Sequence, residues 1–85
     1  MDKEKILEGI RYILKDRLEI IHDASEVDDE TDLIKTLGID SVNIINLVVE
    51  LEEYFEVDMG SEEISFEILT KLPFLIRNIE QQKQC

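Results

Sequence analysis

The chemistry-bearing residues of this chain gather where a loop gives way to a helix. Ser41 follows Gly38-Ile39-Asp40 and opens a run to Phe55 that contains neither Gly nor Pro. A serine at such a point can act as a nucleophile, cap a helix, or carry an anionic group that the helix N-terminus welcomes. The first role lacks its usual company. Ser41 is not in a Gly-x-Ser-x-Gly elbow, and the single histidine, His22, lies in a separate polar stretch. No Gly-rich phosphate loop occurs, and no spacing pairs two carboxylates in a cleft, so catalysis by the chain itself is not expected. Asp28, Asp29, Glu30 and Asp32 invite a calcium reading, but they lack the central Gly and the ligand spacing of an EF-hand loop. Cys85 is the only cysteine, which rules out an internal disulfide and a cysteine-ligated metal. No metal site is expected.

Asp40 and Ser41 are both good N-cap residues for the helix that follows. Along it, Ile44, Leu47, Val48, Leu51 and Phe55 recur at the spacing of one helical face, at about 100° per residue. Val42, Ile45 and Val49 fall on the other side, where an amphipathic helix is ordinarily polar. Either this second apolar face packs under a neighbouring loop, or it docks a partner, with Glu50 and Glu53 as the acidic part of the docking surface.

The elements around this helix follow from the same patterning. Residues 2–18 predict a first helix, capped by Asp2, with Ile6, Leu7, Ile10, Ile13, Leu14 and Leu18 inward and Gly9 as a weak point of about 1 kcal/mol relative to Ala. Residues 19–36 form a long polar connection. Ile20 and Ile21 close the first hydrophobic layer, Leu33, Ile34 and Leu37 anchor the far end, and Gly38 allows the turn into Asp40. After Phe55, Val57 and Met59 tuck back onto the core, and Ser61 caps a short helix with Glu62 and Glu63 in its first turn and Ile64, Phe66 and Ile68 or Leu69 as its contacts. A last helix starts at Thr70 or Leu72, accommodates Pro73 in its first turn, and buries Leu72, Leu75, Ile76 and Ile79 before a frayed tail. The expected fold is all-α: a small antiparallel four-helix bundle of three long helices and one short one, with a long loop between the first two, forming a single domain over residues 1–85.

Composition narrows the partners. The chain has a net charge of −12, and residues 37–69 hold nine Asp and Glu but no Lys or Arg. Nucleic acid and anionic membranes are therefore poor partners, whereas basic protein surfaces are good ones. No apolar run is long enough to span a membrane, and Met1-Asp2-Lys3-Glu4 does not begin a secretory signal. A monomer in the cytoplasm is expected.

Leu37-Gly38-Ile39-Asp40-Ser41-Val42 resembles the Leu-Gly-x-Asp-Ser-Leu signature of acyl carrier proteins. Asp32-Leu33 resembles that family's loop anchor, Leu51-Glu52-Glu53-Tyr54-Phe55 the end of its second helix, and the run from Leu69-Thr70 to Ile79 its last helix. The resemblance covers nearly the whole chain. It implies that Ser41, flanked by Asp40, carries 4′-phosphopantetheine through a phosphodiester after modification by a phosphopantetheinyl transferase. It also implies that acyl groups ride on the cofactor thiol as thioesters, sheltered in part by the apolar bundle interior, and are presented to separate acyl-transferring and acyl-modifying enzymes. The protein would position and the cofactor would react.

Three departures bear on the pathway. Val42 replaces the usual leucine, Asn43 and Asn46 stand where acidic residues are common in fatty-acid carriers, and Lys35 adds a positive charge before the signature. A specialised carrier for polyketide, non-ribosomal peptide or modified lipid synthesis is thus as well supported as a fatty-acid carrier, and a D-alanyl carrier is a further member of the same superfamily. Outside the family stand two other readings: a non-covalent helical adaptor in which Ser41 is only a cap, and a calcium-responsive helical protein.

Overall fold

In a computed structural model that describes residues 2–60 and 65–83, the side chain of residue 66 excepted, the chain forms five α-helices and, among the described residues, no β-strand. Helix α1, Lys3–Tyr12, begins where the Asp2 carboxylate accepts the Lys5 N–H at 2.9 Å. The expected helix over residues 2–18 does not stay α-helical. It widens into a π turn over Ile13–Arg17, in which the Leu18 N–H reaches the Ile13 carbonyl at 2.8 Å. Sequence periodicity conceals this turn, because Ile13 and Leu14 are buried in either geometry.

The long connection holds more structure than its polarity suggests. A 3-10 turn, Ala24–Glu26, is closed by reciprocal capping: Asp23 accepts from the Ser25 N–H, and Glu26 accepts from the N–H groups of His22 and Asp23 at 2.6 and 2.9 Å. Those backbone donors hold both the Asp23 and the Glu26 carboxyls below their usual pKa range. Val27 and Thr31 are buried beneath this segment.

Asp32 caps helix α2, Leu33–Leu37, by accepting from the N–H groups of Ile34 and Lys35. Leu33 is fully buried and Leu37 packs against the core, but Ile34 is 38% exposed and is not the core anchor expected of it. In a helix of five residues the face is set by neighbours rather than by period. Here the neighbour is the end of the chain's fourth helix: Asp32 pairs with Lys71 in an isolated β-bridge, and the Leu72 N–H donates to the Thr31 carbonyl at 2.9 Å.

Helix α3, Ser41–Phe55, is followed by Val57 and Met59, which turn back into the core as expected. Two side chains fix this return: Glu52 accepts the Met59 N–H, and Gln82 bonds both the N–H and the carbonyl of Asp58. Helix α4, Phe66–Thr70, is capped by Ser65. The cap expected at Ser61, with Glu62, Glu63 and Ile64, lies outside the described residues. Helix α5, Leu72–Lys83, carries Pro73 in its first turn and buries Leu72, Leu75, Ile76 and Ile79, the predicted stripe. Helix α1 packs on α5, the π turn packs on α3, and α4 touches both α3 and α5. The result is the expected helical bundle, with Ile6, Ile10, Leu14, Leu47, Leu51, Phe55, Leu75 and Ile79 at its centre.

One contact within the bundle has no counterpart in the sequence pattern. A Cβ added at Gly9 would lie 2.6 Å from ring atoms of both Tyr54 and Phe55. The weak point of α1 is thus where the end of α3 presses against it. Tyr54 also stacks on Tyr12, with ring centroids 5.6 Å apart.

Candidate functional site

The entry to α3 is built by two helix ends. Gly38 closes α2 in the left-handed conformation, φ +65°, and its N–H reaches the Ile34 carbonyl at 2.9 Å. A side chain there would meet no atom within 4 Å, so the glycine answers a backbone need rather than a packing one. Ile39 then turns inward and is buried, which leaves Asp40 and Ser41 at the surface.

Of the two possible caps, Asp40 takes the role. Its backbone is extended and its carboxylate accepts the Asn43 N–H at 2.9 Å. Ser41 is therefore the first helical residue. It is exposed, and its hydroxyl makes no hydrogen bond among the described residues. Nothing described on this chain stands ready to take the Ser41 proton. His22, the one imidazole, is exposed in the connection before the 3-10 turn. The Ser41 hydroxyl is presented to solvent, with no hydrogen bond among the described residues. A negatively charged substituent on it would sit at the positive end of a fifteen-residue helix.

Beyond Ser41 the helix separates into two apolar faces. Ile44, Leu47, Leu51 and Phe55 are buried, and Val48 packs against them. Val42, Ile45 and Val49 are 62%, 63% and 47% exposed. The alternative in which they pack under the long loop does not hold. The two carboxylates expected beside them differ. Glu53 is exposed and makes no hydrogen bond or ion pair among the described residues. Glu50 is gripped by Arg17 from the π turn, Nε to Oε2 at 3.1 Å and Nη2 to Oε1 at 3.3 Å, and its side chain is only 20% exposed. The carboxylate in turn raises the pKa of Arg17. Sequence reading finds no role for Arg17, because 33 residues separate the partners.

The acidic connection offers a cation little. Asp28 accepts from the Glu30 N–H and the Thr31 hydroxyl, Asp32 caps α2, and Asp29 pairs with Lys3 at 2.8 Å, which lowers the Asp29 pKa. Among the described residues no group of three or more potential ligands is placed to hold a metal ion.

A family model described as the phosphopantetheine attachment site matches residues 8–72, from within α1 to the first residue of α5. The chain belongs to the acyl carrier protein family. It is 41% identical over 63 residues to the acyl carrier protein of Rubrobacter xylanophilus, which covers 74% of this chain and 75% of that protein. To the acyl carrier protein of Clostridium acetobutylicum it is 40% identical over 58 residues, covering 68% and 73%. To that of Helicobacter pylori strain J99 it is 28% identical over 78 residues, covering 92% and 95%. Membership brings with it a covalently attached 4′-phosphopantetheine, and the acyl carrier's entry to α3 fits such a group: an exposed hydroxyl, an N-terminus that favours a phosphodiester, and a cap already supplied by a neighbour. Among the described residues no helix of this acyl carrier is long and apolar enough to cross a membrane.

Proposed function

We propose that residues 1–85 act as a single, monomeric, non-catalytic carrier domain in the cytoplasm, with 4′-phosphopantetheine attached to Ser41. The observation that carries this reading is the division of labour at the head of α3: Asp40 caps the helix, so Ser41 keeps a free, exposed hydroxyl at its first position. When bound, the cofactor supplies a thiol that holds an acyl group as a thioester. The chain's own residues supply the rest. Asp40 keeps the first turn in place, the helix N-terminus stabilises the phosphodiester, and Val42, Ile45 and Val49, with Glu53 beyond them, form the surface on which a phosphopantetheinyl transferase and acyl-handling enzymes dock.

The pathway reading rests on two amides. Asn43 and Asn46 leave the first two turns of α3 without the acids common in fatty-acid carriers, and Asn46 is exposed. This supports a specialised polyketide, peptide or lipid carrier as well as it supports a housekeeping one. Intact-mass measurement after incubation with coenzyme A and a broad-specificity transferase tests the attachment. A gain of one phosphopantetheine that vanishes in Ser41→Ala supports it, and a gain that persists in the mutant moves the attachment elsewhere. The absence of any gain, with transferases that modify a control carrier, favours the adaptor reading.

A further inference from the structure

Two backbone acceptors hold the end of the first helix. The Ile13 carbonyl takes the Leu18 N–H, five residues on, at 2.8 Å, and the Leu14 carbonyl takes the N–H groups of Ile20 and Ile21 at 2.8 and 3.3 Å. In a continued α-helix the Leu14 carbonyl would instead take Leu18, four residues on. The two patterns compete for one acceptor. Glu19 weighs against the observed one: it sits at φ +53°, a left-handed conformation that a residue with a Cβ adopts at a cost. Arg17 weighs for it. As the last residue of the π turn it bonds both oxygens of Glu50 on α3, Nε at 3.1 Å and Nη2 at 3.3 Å, while Tyr12 and Glu53 pull on the same guanidinium more weakly. A wide turn advances each residue by less than the about 100° of an α-helix, so the width of the turn sets where Arg17 points.

We propose that the end of the first helix is a two-register switch, held in its wide register by the Arg17–Glu50 fork and returned to the α register when the fork is lost to competing ions. In the α register the Leu18 N–H passes to the Leu14 carbonyl, the Ile20 N–H is released, and Glu19 leaves the left-handed region. Burial confines the change to a short stretch. Arg17 and Glu19 are exposed and Leu18 and Ile20 are half-buried, whereas Ile13 and Leu14 on one side and Ile21 on the other are buried and stay fixed. An exposed ion pair shifts an equilibrium by about two- to fivefold, enough to be measured but too little to lock the wide register. The switch therefore ties a carboxylate on α3 to the start of the long connection, whose far end, Asp32, caps α2. It goes beyond the carrier reading and does not depend on it.

The test is amide hydrogen exchange, read residue by residue by NMR on the full chain at low ionic strength, for the wild type, Glu50→Gln, Glu19→Gly and the Glu19→Gly/Glu50→Gln double variant. Amides of α5 serve as the internal reference for global opening. Glu50→Gln should speed exchange at Ile20 about threefold relative to α5 and leave Leu18 protected, because Leu18 changes acceptor while Ile20 loses one. Raising the ionic strength should do the same to the wild type and add little to the variant. Glu19→Gly, which removes the left-handed cost from the wide register, should slow exchange at Ile20 about threefold in either background. An unchanged Ile20 in Glu50→Gln overturns the proposal. So does equal acceleration at Leu18 and Ile20, which means that the helix end frays rather than changes register, and so does an equal rise across α5, which means that the fork serves only global stability. Faster exchange at Ile20 in Glu19→Gly overturns it as well.

Discussion

Helix α3 has two apolar faces made of the same kinds of residue, and they meet opposite fates. Ile44, Leu47, Leu51 and Phe55 are at most 5% exposed, whereas Val42, Ile45 and Val49 range from 47% to 63%. Residue type does not distinguish them; isoleucine and branched aliphatics stand on both. What differs is the neighbourhood. The inner face lies in the core shared with the other helices, while the side chains of the outer face stand largely open to solvent among the described residues. In an 85-residue chain of net charge −12, these three side chains form an apolar strip open to solvent among the described residues.

Substitutions on the two faces should therefore separate sharply. The largest effect belongs to the inner face. Leu51→Ala leaves a cavity at a site with no exposure and should cost about 2–5 kcal/mol, read as a lower midpoint in urea unfolding. Gly9→Ala comes next. Alanine favours the helix by about 1 kcal/mol, but its methyl would have to displace the Tyr54 and Phe55 rings, an overpacking cost of about 1–3 kcal/mol, so the net should be destabilising. A stabilised Gly9→Ala variant in the same unfolding assay would show that the end of α3 can draw back from α1. Asp40→Ala removes the cap of α3 and should lower stability by about 1 kcal/mol. It should also slow modification of Ser41, since the first turn frays, and a transferase assay beside the melts separates the two effects. The smallest effect belongs to the outer face. Ile45→Ser and Val49→Ser should each change stability by no more than about 0.5 kcal/mol while raising the transferase KM several-fold. Stability losses near those of Leu51→Ala would mean that the outer face is covered after all.

Much of this was legible in the residues. The stripes of α3 and α5 show their period over two or more turns, and every member named for α5 is buried. The same period sets Val42, Ile45 and Val49 apart from the inner face but leaves open whether a loop covers them; their exposure is seen only in the structure. Ile34 was misread because α2 is too short for a period to pick a face, and its orientation is set by the pairing of Thr31 and Asp32 with Lys71 and Leu72. The π turn, the close approach at Gly9 and the Arg17–Glu50 pair were not legible. The Gly9 contact and the Arg17–Glu50 pair join residues far apart in sequence, and the π turn is made of residue types that serve just as well in an ordinary helix. At the site, the sequence left the cap open between Asp40 and Ser41, and only the hydrogen bond from Asn43 decides it.

That decision is also where the account is most exposed. If Asp40 caps the helix and Ser41 is free to be modified, wild-type protein incubated with coenzyme A and a phosphopantetheinyl transferase should gain the mass of one phosphopantetheine, peptide mapping should place it on Ser41, and Ser41→Ala should gain nothing while retaining wild-type helicity. Modification at any other residue, or an unmodified wild type beside a fully modified control carrier, would contradict it.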